Sequence, residues 1–147
     1  MINKELSNKI KGKKTIHIKG KKFSIIGLES CDELVKFRLT DNKKDLYWFE
    51  FQFNSAGLII LWKDIDFQPK NPNSNVIKYK CKQFKLSEKG DSEVEVTINN
   101  STKKEKIKWW DYSCGNEMLS LGWNKTSKKW DNLNGHIIKI KDIKITY

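Results

Sequence analysis

Arginine is almost absent from this chain: Arg38 is the single arginine among 29 basic residues. Because arginine is the usual residue for bidentate contacts with phosphates and bases, its scarcity argues against dedicated nucleic-acid recognition. Proline is also scarce. The two prolines both lie within residues 68–75, an asparagine-rich stretch that we interpret as a linker between two halves of the chain.

Paired cysteines and long apolar runs are lacking as well. Cys31, Cys81 and Cys114 form no CxxC pair, and neither histidine lies close to one of them in the sequence. A zinc site and a disulfide framework are therefore disfavoured, so no metal is expected and a reducing, cytoplasmic compartment fits best. The longest strongly apolar run, Leu58–Trp62, is too short to span a membrane, and Met1–Lys14 lacks the apolar region of a signal peptide.

Catalytic motifs are missing too. The chain has no glycine-rich phosphate loop, no HExxH and no nucleophile elbow. A nucleophile–base pair of Cys114 and His136 has no support beyond the presence of both residues. We therefore expect a protein that is not an enzyme and that uses no catalytic residue and no cofactor.

Lysine, by contrast, is abundant, and the formal net charge is +11. The first 22 residues carry eight lysines and one acid, Glu5. This basic N-terminal segment is either a solvated tail that leads into a strand or a contact for an anionic surface. The lysines expected to make such a contact are Lys9, Lys11, Lys13, Lys14, Lys19, Lys21 and Lys22.

Alternating and short apolar segments predict β-strands along the whole chain. The strongest is Leu46–Phe53, which has aromatic residues on both faces. Turn signals separate the strands. Among them are Lys89–Asp91 and Asn134-Gly135, the latter being the strongest short hairpin signal in the chain. No long helix is indicated, although residues 2–10 could form one short turn.

An internal repeat is suggested by an offset of 61 positions, which places Trp48 on Trp109 and Trp62 on Trp123. We therefore predict an all-β protein made of two duplicated, roughly five-stranded antiparallel units. The units would pack with pseudo-twofold symmetry, as a sandwich or a small barrel-like arrangement. The predicted boundaries are a basic arm over 1–14, a first unit over 15–67, a linker over 68–75 and a second unit with a closing hairpin over 76–147.

Two acids, Glu50 and Asp111, occupy matching places between aromatic residues. Strand alternation places Trp48 and Glu50 on one face and Phe49 on the other. Such a carboxylate could act as a general acid or base, or it could fasten each unit by accepting hydrogen bonds, and duplication favours the fastener. The tryptophans either fill the core or line an aromatic groove between the units. The residues predicted to contact a partner there are Trp48, Glu50, Trp62, Trp109, Asp111, Tyr112 and Trp123.

The order of these motifs resembles a bacterial family catalogued as a domain of unknown function (four-one-seven-eight). Over about residues 15–145 the matching segments are Phe23–Gly27, Trp48–Phe51, Leu61-Trp62, Tyr79–Leu86, Trp110–Tyr112, Leu119–Trp123 and Gly135–Ile138. The chain departs from that pattern at Cys81, where glycine is frequent, and at Gly122, where an acid often precedes the last tryptophan. The resemblance implies a cytoplasmic bacterial protein, sometimes linked with envelope-stress or membrane-associated systems, and it implies no activity.

Two functions are compatible with these features. The first is a non-enzymatic protein-interaction or scaffold module whose strand edges and aromatic groove contact a protein partner, while the lysine-rich arm could contact an anionic membrane surface. The alternative is a nucleic-acid-binding β domain that uses the lysine-rich arm and lysine–aromatic pairs such as Lys108-Trp109.

Overall fold

The computed structural model describes residues 2–71 and 73–145, so Pro72 in the predicted linker lies outside the described residues. The molecule is mostly antiparallel β-sheet with one short N-terminal helix, which confirms the all-β prediction. The elements are α1 (Ile2–Ile10), β1 (Thr15–Ile18), β2 (Lys21–Cys31), β3 (Leu34–Thr40), β4 (Leu46–Gln52), β5 (Ile59–Ile65), β6 (Val76–Tyr79), β7 (Lys82–Ile98), β8 (Ser101–Cys114), β9 (Glu117–Asn124), β10 (Lys129–Ile137), a 3₁₀ turn (Ile140–Asp142) and β11 (Ile143–Ile145).

The strands pair in the order β11-β1-β2-β3-β4-β5-β10-β9-β8-β7-β6, with a further pairing of β2 with β7. That extra pairing joins Gly27–Ser30 of β2 to Glu95–Ile98 of β7 and closes a ring of eight strands. We call β2–β5 the first half of the ring and β7–β10 the second half. The two halves meet at the β5–β10 pair and again at the β2–β7 pair.

Two of the three apolar clusters lie on the outer face of the ring, and the third, which includes Trp48, Trp62 and Leu133, lies on the inner face. In the first half, alternate residues such as Phe37, Phe49 and Phe51 pack under α1, β1 and β11. In the second half, Trp110, Tyr112 and their neighbours form a separate cluster with β6 and the segment before it. Because successive side chains of a strand point to opposite faces, the remaining residues of all eight strands point into the ring.

The N-terminal segment is a docked helix rather than a free arm. α1 buries Asn3, Ser7 and Ile10, and the Ile10 side chain joins the first apolar cluster. The Asn3 Nδ2 group donates hydrogen bonds of 2.8 Å to the carbonyl oxygens of Gln52 and Gly57, which anchors the helix to the β4–β5 connection. A nine-residue helix that is marginal alone is thus held by its tertiary contacts.

Replacing Asn3 with alanine should lower the free energy of unfolding by about 1–3 kcal/mol, because two backbone carbonyls lose their buried donor. Chemical denaturation monitored by circular dichroism measures this loss. The matched control is Asn8→Ala on the exposed side of the same helix, which should change stability by less than about 0.5 kcal/mol. Equal stabilities of the two variants would contradict the anchoring role.

Two predicted turns are wrong, for the same physical reason. Lys89–Asp91 lies within β7, and Asn134-Gly135 lies within β10, paired with β9 on one side and β5 on the other. Each glycine instead faces a tryptophan ring: a Cβ on Gly90 would lie 2.8 Å from Trp109, and one on Gly135 would lie 2.4 Å from Trp62. The glycines therefore make room for indoles on the inner face of the ring.

The expected closing hairpin around Asn134-Gly135 is accordingly absent from the described residues. After β10 the chain crosses back to the first half, where Ile138 joins the first apolar cluster and β11 pairs with β1. The C-terminal strand therefore stabilises the first half and does not complete the second.

The offset of 61 positions holds only for the opening strands of each half. It relates the bulge between Ile25 and Gly27 in β2 to the bulge between Leu86 and Glu88 in β7. Beyond that point β7 and β8 have 17 and 14 residues, whereas β2 and β3 have 11 and 7. Because of this longer hairpin, Trp48 lies on the third strand of its half and Trp109 on the second, so the tryptophan matches are not structural equivalents. The duplication itself stays a prediction.

Candidate ligand cavity inside the ring

The ring encloses a cavity of about 540 Å³, which is in the size range of small-molecule sites. Every strand of the ring contributes to its wall, for example Glu29 from β2, Lys36 from β3, Trp62 from β5 and Trp109 from β8. The turn between β2 and β3, with exposed Asp32 and Glu33, also lines the cavity. We call this space the ring cavity.

Three tryptophans line the ring cavity: Trp48, Trp62 and Trp109. Trp48 and Trp62 are opposite one another on β4 and β5 and are buried, and Trp109 approaches from β8 and is half-buried. The Trp109 indole N–H donates a 2.9 Å hydrogen bond to Ser92, and the Trp62 indole N–H donates a 3.2 Å bond to Glu50. These bonds fix the orientations of the Trp109 and Trp62 indoles, and the π-faces of the indoles remain part of the apolar wall of the cavity.

The lining is strongly acidic, although the whole chain is basic. Among the described residues, eight acidic residues and one basic residue, Lys36, line the cavity, whereas the formal charge of the protein is +11. The eight acids are Glu29, Asp32, Glu33, Glu50, Glu88, Glu93, Asp111 and Asp131. Like charges in a partly closed, low-dielectric space repel and raise the local concentration of counter-ions. The cavity therefore favours a positively charged occupant.

Lys36 lies between two buried carboxylates of the first half. Its Nζ is 3.9 Å from Glu29 Oε1 and 3.8 Å from Glu50 Oε1, too far for a hydrogen bond. Burial by itself lowers the pKa of Lys36, but the surrounding carboxylates, Glu29 first, raise it to about 12. Lys36 is therefore a permanent cation in the cavity wall.

The carboxylates of Glu29 and Glu50 differ in how many hydrogen bonds they accept. Glu50 accepts hydrogen bonds from the Trp62 indole and, at 2.7 Å, from Gln52. Glu29 is only 8% exposed, yet it accepts no hydrogen bond from any residue in 2–71 or 73–145, and burial raises the pKa of its carboxyl. A buried carboxylate without donors carries a desolvation cost that a bound cation would relieve.

Asp111 is the central acid of the second half. Its carboxylate accepts one hydrogen bond, of 2.7 Å, from the Ser120 hydroxyl, and it makes no ion pair within the described part of the chain. Burial raises the pKa of Asp111 to about 6, against the lowering effects of Ser120 and Lys36. Asp111 is thus a partly buried carboxylate whose charge no ion pair with a described residue neutralises, and it lies two residues from Trp109 on the same face of β8.

A second cation beside the cavity is already neutralised. The Arg38 guanidinium binds Asp64 bidentately at 2.6 and 2.7 Å and stacks over Trp48 at 4.6 Å from the ring centroid. Bidentate pairing and stacking both fix the guanidinium plane. Arg38 therefore holds Trp48 in position, and its strongest contact is with Asp64 rather than with an acid of the cavity lining.

Of the seven residues predicted to contact a partner, five line the ring cavity: Trp48, Glu50, Trp62, Trp109 and Asp111. The predicted separation of Trp48 and Glu50 from Phe49 on the other face of β4 is confirmed. Tyr112 and Trp123 do not lie with them, because alternation turns both toward the outer apolar cluster of the second half. There Trp123 contacts Trp130, with ring centroids 5.4 Å apart.

The predicted anionic-surface lysines lie on α1, its connection to β1, and the β1–β2 hairpin. All are exposed except Lys13, which is half-buried. Lys21 is already engaged: its Nζ is 2.9 Å from Asp41 and 3.2 Å from the Tyr47 hydroxyl. That ammonium hydrogen bond lowers the pKa of Asp41 to about 2. Lys21 therefore has a structural partner, whereas an anionic surface for the other lysines stays a prediction.

Sequence reasoning did not select Glu29, Lys36 or Glu88 as site residues. Each stands in an ordinary alternating strand, where a polar face pointing to solvent and a polar face pointing into a closed ring have the same pattern. The one signal in the sequence was the clustering of acids on strands of an otherwise lysine-rich chain.

No family model, no curated protein and no solved structure matches the chain. The family resemblance of its motifs therefore remains an expectation. None of the helices in the described residues is long and apolar enough to cross a membrane.

Proposed function

We propose that this protein is a binding module that holds a small organic cation in the ring cavity. The observation that carries the proposal is the cavity wall, where three tryptophans, eight acidic residues and one lysine stand among the described lining residues. Aromatic faces attract cations through their negative quadrupole, and each such contact contributes about 0.5–2 kcal/mol. Carboxylates add a longer-range attraction that survives inside a partly closed space.

An organic cation fits this wall better than a metal ion. Among the residues in 2–71 and 73–145, no cluster of three or more histidine, cysteine, aspartate or glutamate side chains has the arrangement of a metal site. Dispersed carboxylates separated by indoles instead suit a cation whose charge is spread over carbon and nitrogen, such as an alkylammonium group.

Choline and 3,3-dimethylbutan-1-ol provide the sharpest test, because they share a shape and differ in charge. We expect choline to bind and to change the tryptophan fluorescence, and the neutral alcohol to bind at least about tenfold more weakly, a difference of ~1.4 kcal/mol. Isothermal titration calorimetry at low salt measures both. Equal binding of the two compounds, or binding of neither, would reject the proposal.

Trp109→Leu should weaken choline binding about tenfold, since one cation–π face is lost. The matched control is Trp123→Leu, which removes an indole from the outer apolar cluster and not from the cavity. That variant should retain choline binding even where its stability falls. If choline bound more weakly to the Trp123 variant than to the Trp109 variant, the ligand would have to lie outside the ring.

The protein-interaction and nucleic-acid hypotheses stay predictions. The exposed lysines on the outside of the ring support the nucleic-acid hypothesis. A nucleic-acid complex would weaken steeply as salt is added, with a slope set by the number of phosphates contacted. A pull-down and a salt titration separate these two hypotheses from cation binding.

A further inference from the structure

The two walls of the ring cavity differ in charge balance. On the first-half wall, Glu29 and Glu50 face Lys36, and the adjoining Arg38 is paired with Asp64. On the second-half wall, the described lining residues include four acids and neither lysine nor arginine. Those acids are Glu88, Glu93, Asp111 and Asp131. Cations of the chain thus occupy one wall only.

Lys36 is the one basic residue among the described residues that line the cavity. Its ammonium lies between two buried carboxylates at 3.8 and 3.9 Å and donates no hydrogen bond to any described residue. The carboxylates hold the pKa of this group at about 12, so its charge persists at every physiological pH. Across the cavity, Asp111 and Trp109 offer an anion and an aromatic face without a resident cation.

We infer that Lys36 is a tethered cation that restricts the ring cavity to ligands with a single positive charge, which are held against Asp111 and Trp109. This inference rests on the proposed function and specifies its ligand class. A diamine would place its second ammonium near Lys36, where like-charge repulsion offsets the attraction of Glu29 and Glu50. Lys36 is therefore a specificity-determining residue.

Butylamine and 1,4-diaminobutane test the inference, because they differ by one ammonium. The wild-type protein should bind butylamine at least as tightly as the diamine. In Lys36→Met the affinity for the diamine relative to butylamine should rise about tenfold or more, because both carboxylates become available to the second ammonium. Calorimetric titrations of both amines give the ratio. Lys104→Met, on the exposed outer face of β8, should leave the ratio unchanged.

Removing Lys36 leaves two buried carboxylates without a cation, so the single variant could fail to fold. The double variant Glu29→Gln/Lys36→Met keeps the net charge and leaves Glu50 for the second ammonium, and it should shift the ratio in the same direction. The inference is overturned if wild-type protein binds the diamine more tightly than butylamine, or if neither folded variant shifts the ratio. If wild-type protein binds neither amine nor choline, the proposed function itself fails.

Discussion

Asp111→Asn should weaken the binding of choline at least about 30-fold, an effect of ~2 kcal/mol, because it removes the partly buried carboxylate that lies two residues from Trp109 on the same face of β8. Asparagine keeps the shape and can still accept the hydrogen bond from Ser120, so the change isolates the charge. The stability of the variant at pH 7 should match or exceed that of the wild type, since a poorly balanced buried charge disappears. Calorimetry and denaturation measure the two effects separately.

The pH dependence gives the same prediction a second readout. In the folded protein the pKa of Asp111 is about 6, raised by burial from 3.8, so in the unliganded protein this carboxyl is half-protonated at about pH 6. A cation in the cavity favours the ionised form, hence binding is strongest above pH 6 and weakens as the pH falls through that value. Between pH 7 and pH 5 the wild-type affinity should drop about tenfold.

The groups that face Asp111 come from four other strands. Ser120 on β9 and Lys36 on β3 favour its ionised form, and Glu50 on β4 and Glu88 on β7 disfavour it. Asp111→Asn should therefore bind weakly with little change between pH 7 and pH 5. The control Asp66→Asn, an exposed acid outside the cavity, should retain both the affinity and the pH dependence. An unchanged pH profile in Asp111→Asn would assign the titration to another acid.

Much of the fold and part of the site are readable from local sequence signals. Alternation alone placed Trp48 and Glu50 on one face of β4, and the predicted turns at 99–101, with two asparagines, and at 114–116, with one glycine, separate real strands. These features depend on neighbours within a few residues. They are therefore recoverable without knowledge of the tertiary structure.

Ring closure could not be predicted in the same way. It depends on the length of the β7–β8 hairpin, which brings Glu95–Ile98 alongside β2, and no local pattern encodes that distant pairing. Without the ring, Lys36 and Glu29 look like ordinary solvent-facing strand residues. The glycines were misleading for a related reason. Gly90 and Gly135 lie in segments whose sequence is typical of turns, but each makes room for the indole of a tryptophan on a neighbouring strand.

Gly135→Ala should be among the most destabilising single substitutions in the chain. The new Cβ would lie 2.4 Å from Trp62 Cε3 and 2.8 Å from two further atoms of the same ring. Trp62 has little freedom to move, because it is 4% exposed and its indole N–H is bonded to Glu50. Overpacking at such a position costs about 3 kcal/mol, which corresponds to a fall in Tm of about 10 °C for a domain of this size.

A glycine with free space around it provides the control. Gly115 has φ of +62°, and no neighbouring atom lies within 4 Å of the place that a Cβ would take. Gly115→Ala should therefore lower the free energy of unfolding by only about 1 kcal/mol, the cost of placing an alanine in the left-handed backbone region. Thermal unfolding of both variants gives the comparison. A Gly135→Ala protein as stable as Gly115→Ala would contradict the close seating of Trp62.

The clash predicts a specific coupling between Gly135 and Trp62. Trp62→Leu alone should destabilise the protein by about 3 kcal/mol, because it removes most of a buried indole and leaves Glu50 without one donor. In the double variant the leucine leaves room for the methyl group, so the combined loss should be smaller than the sum of the two single losses by at least about 1 kcal/mol. Strict additivity would mean that the ring of Trp62 does not lie over Gly135, and the indole wall of the cavity would then have to be placed elsewhere.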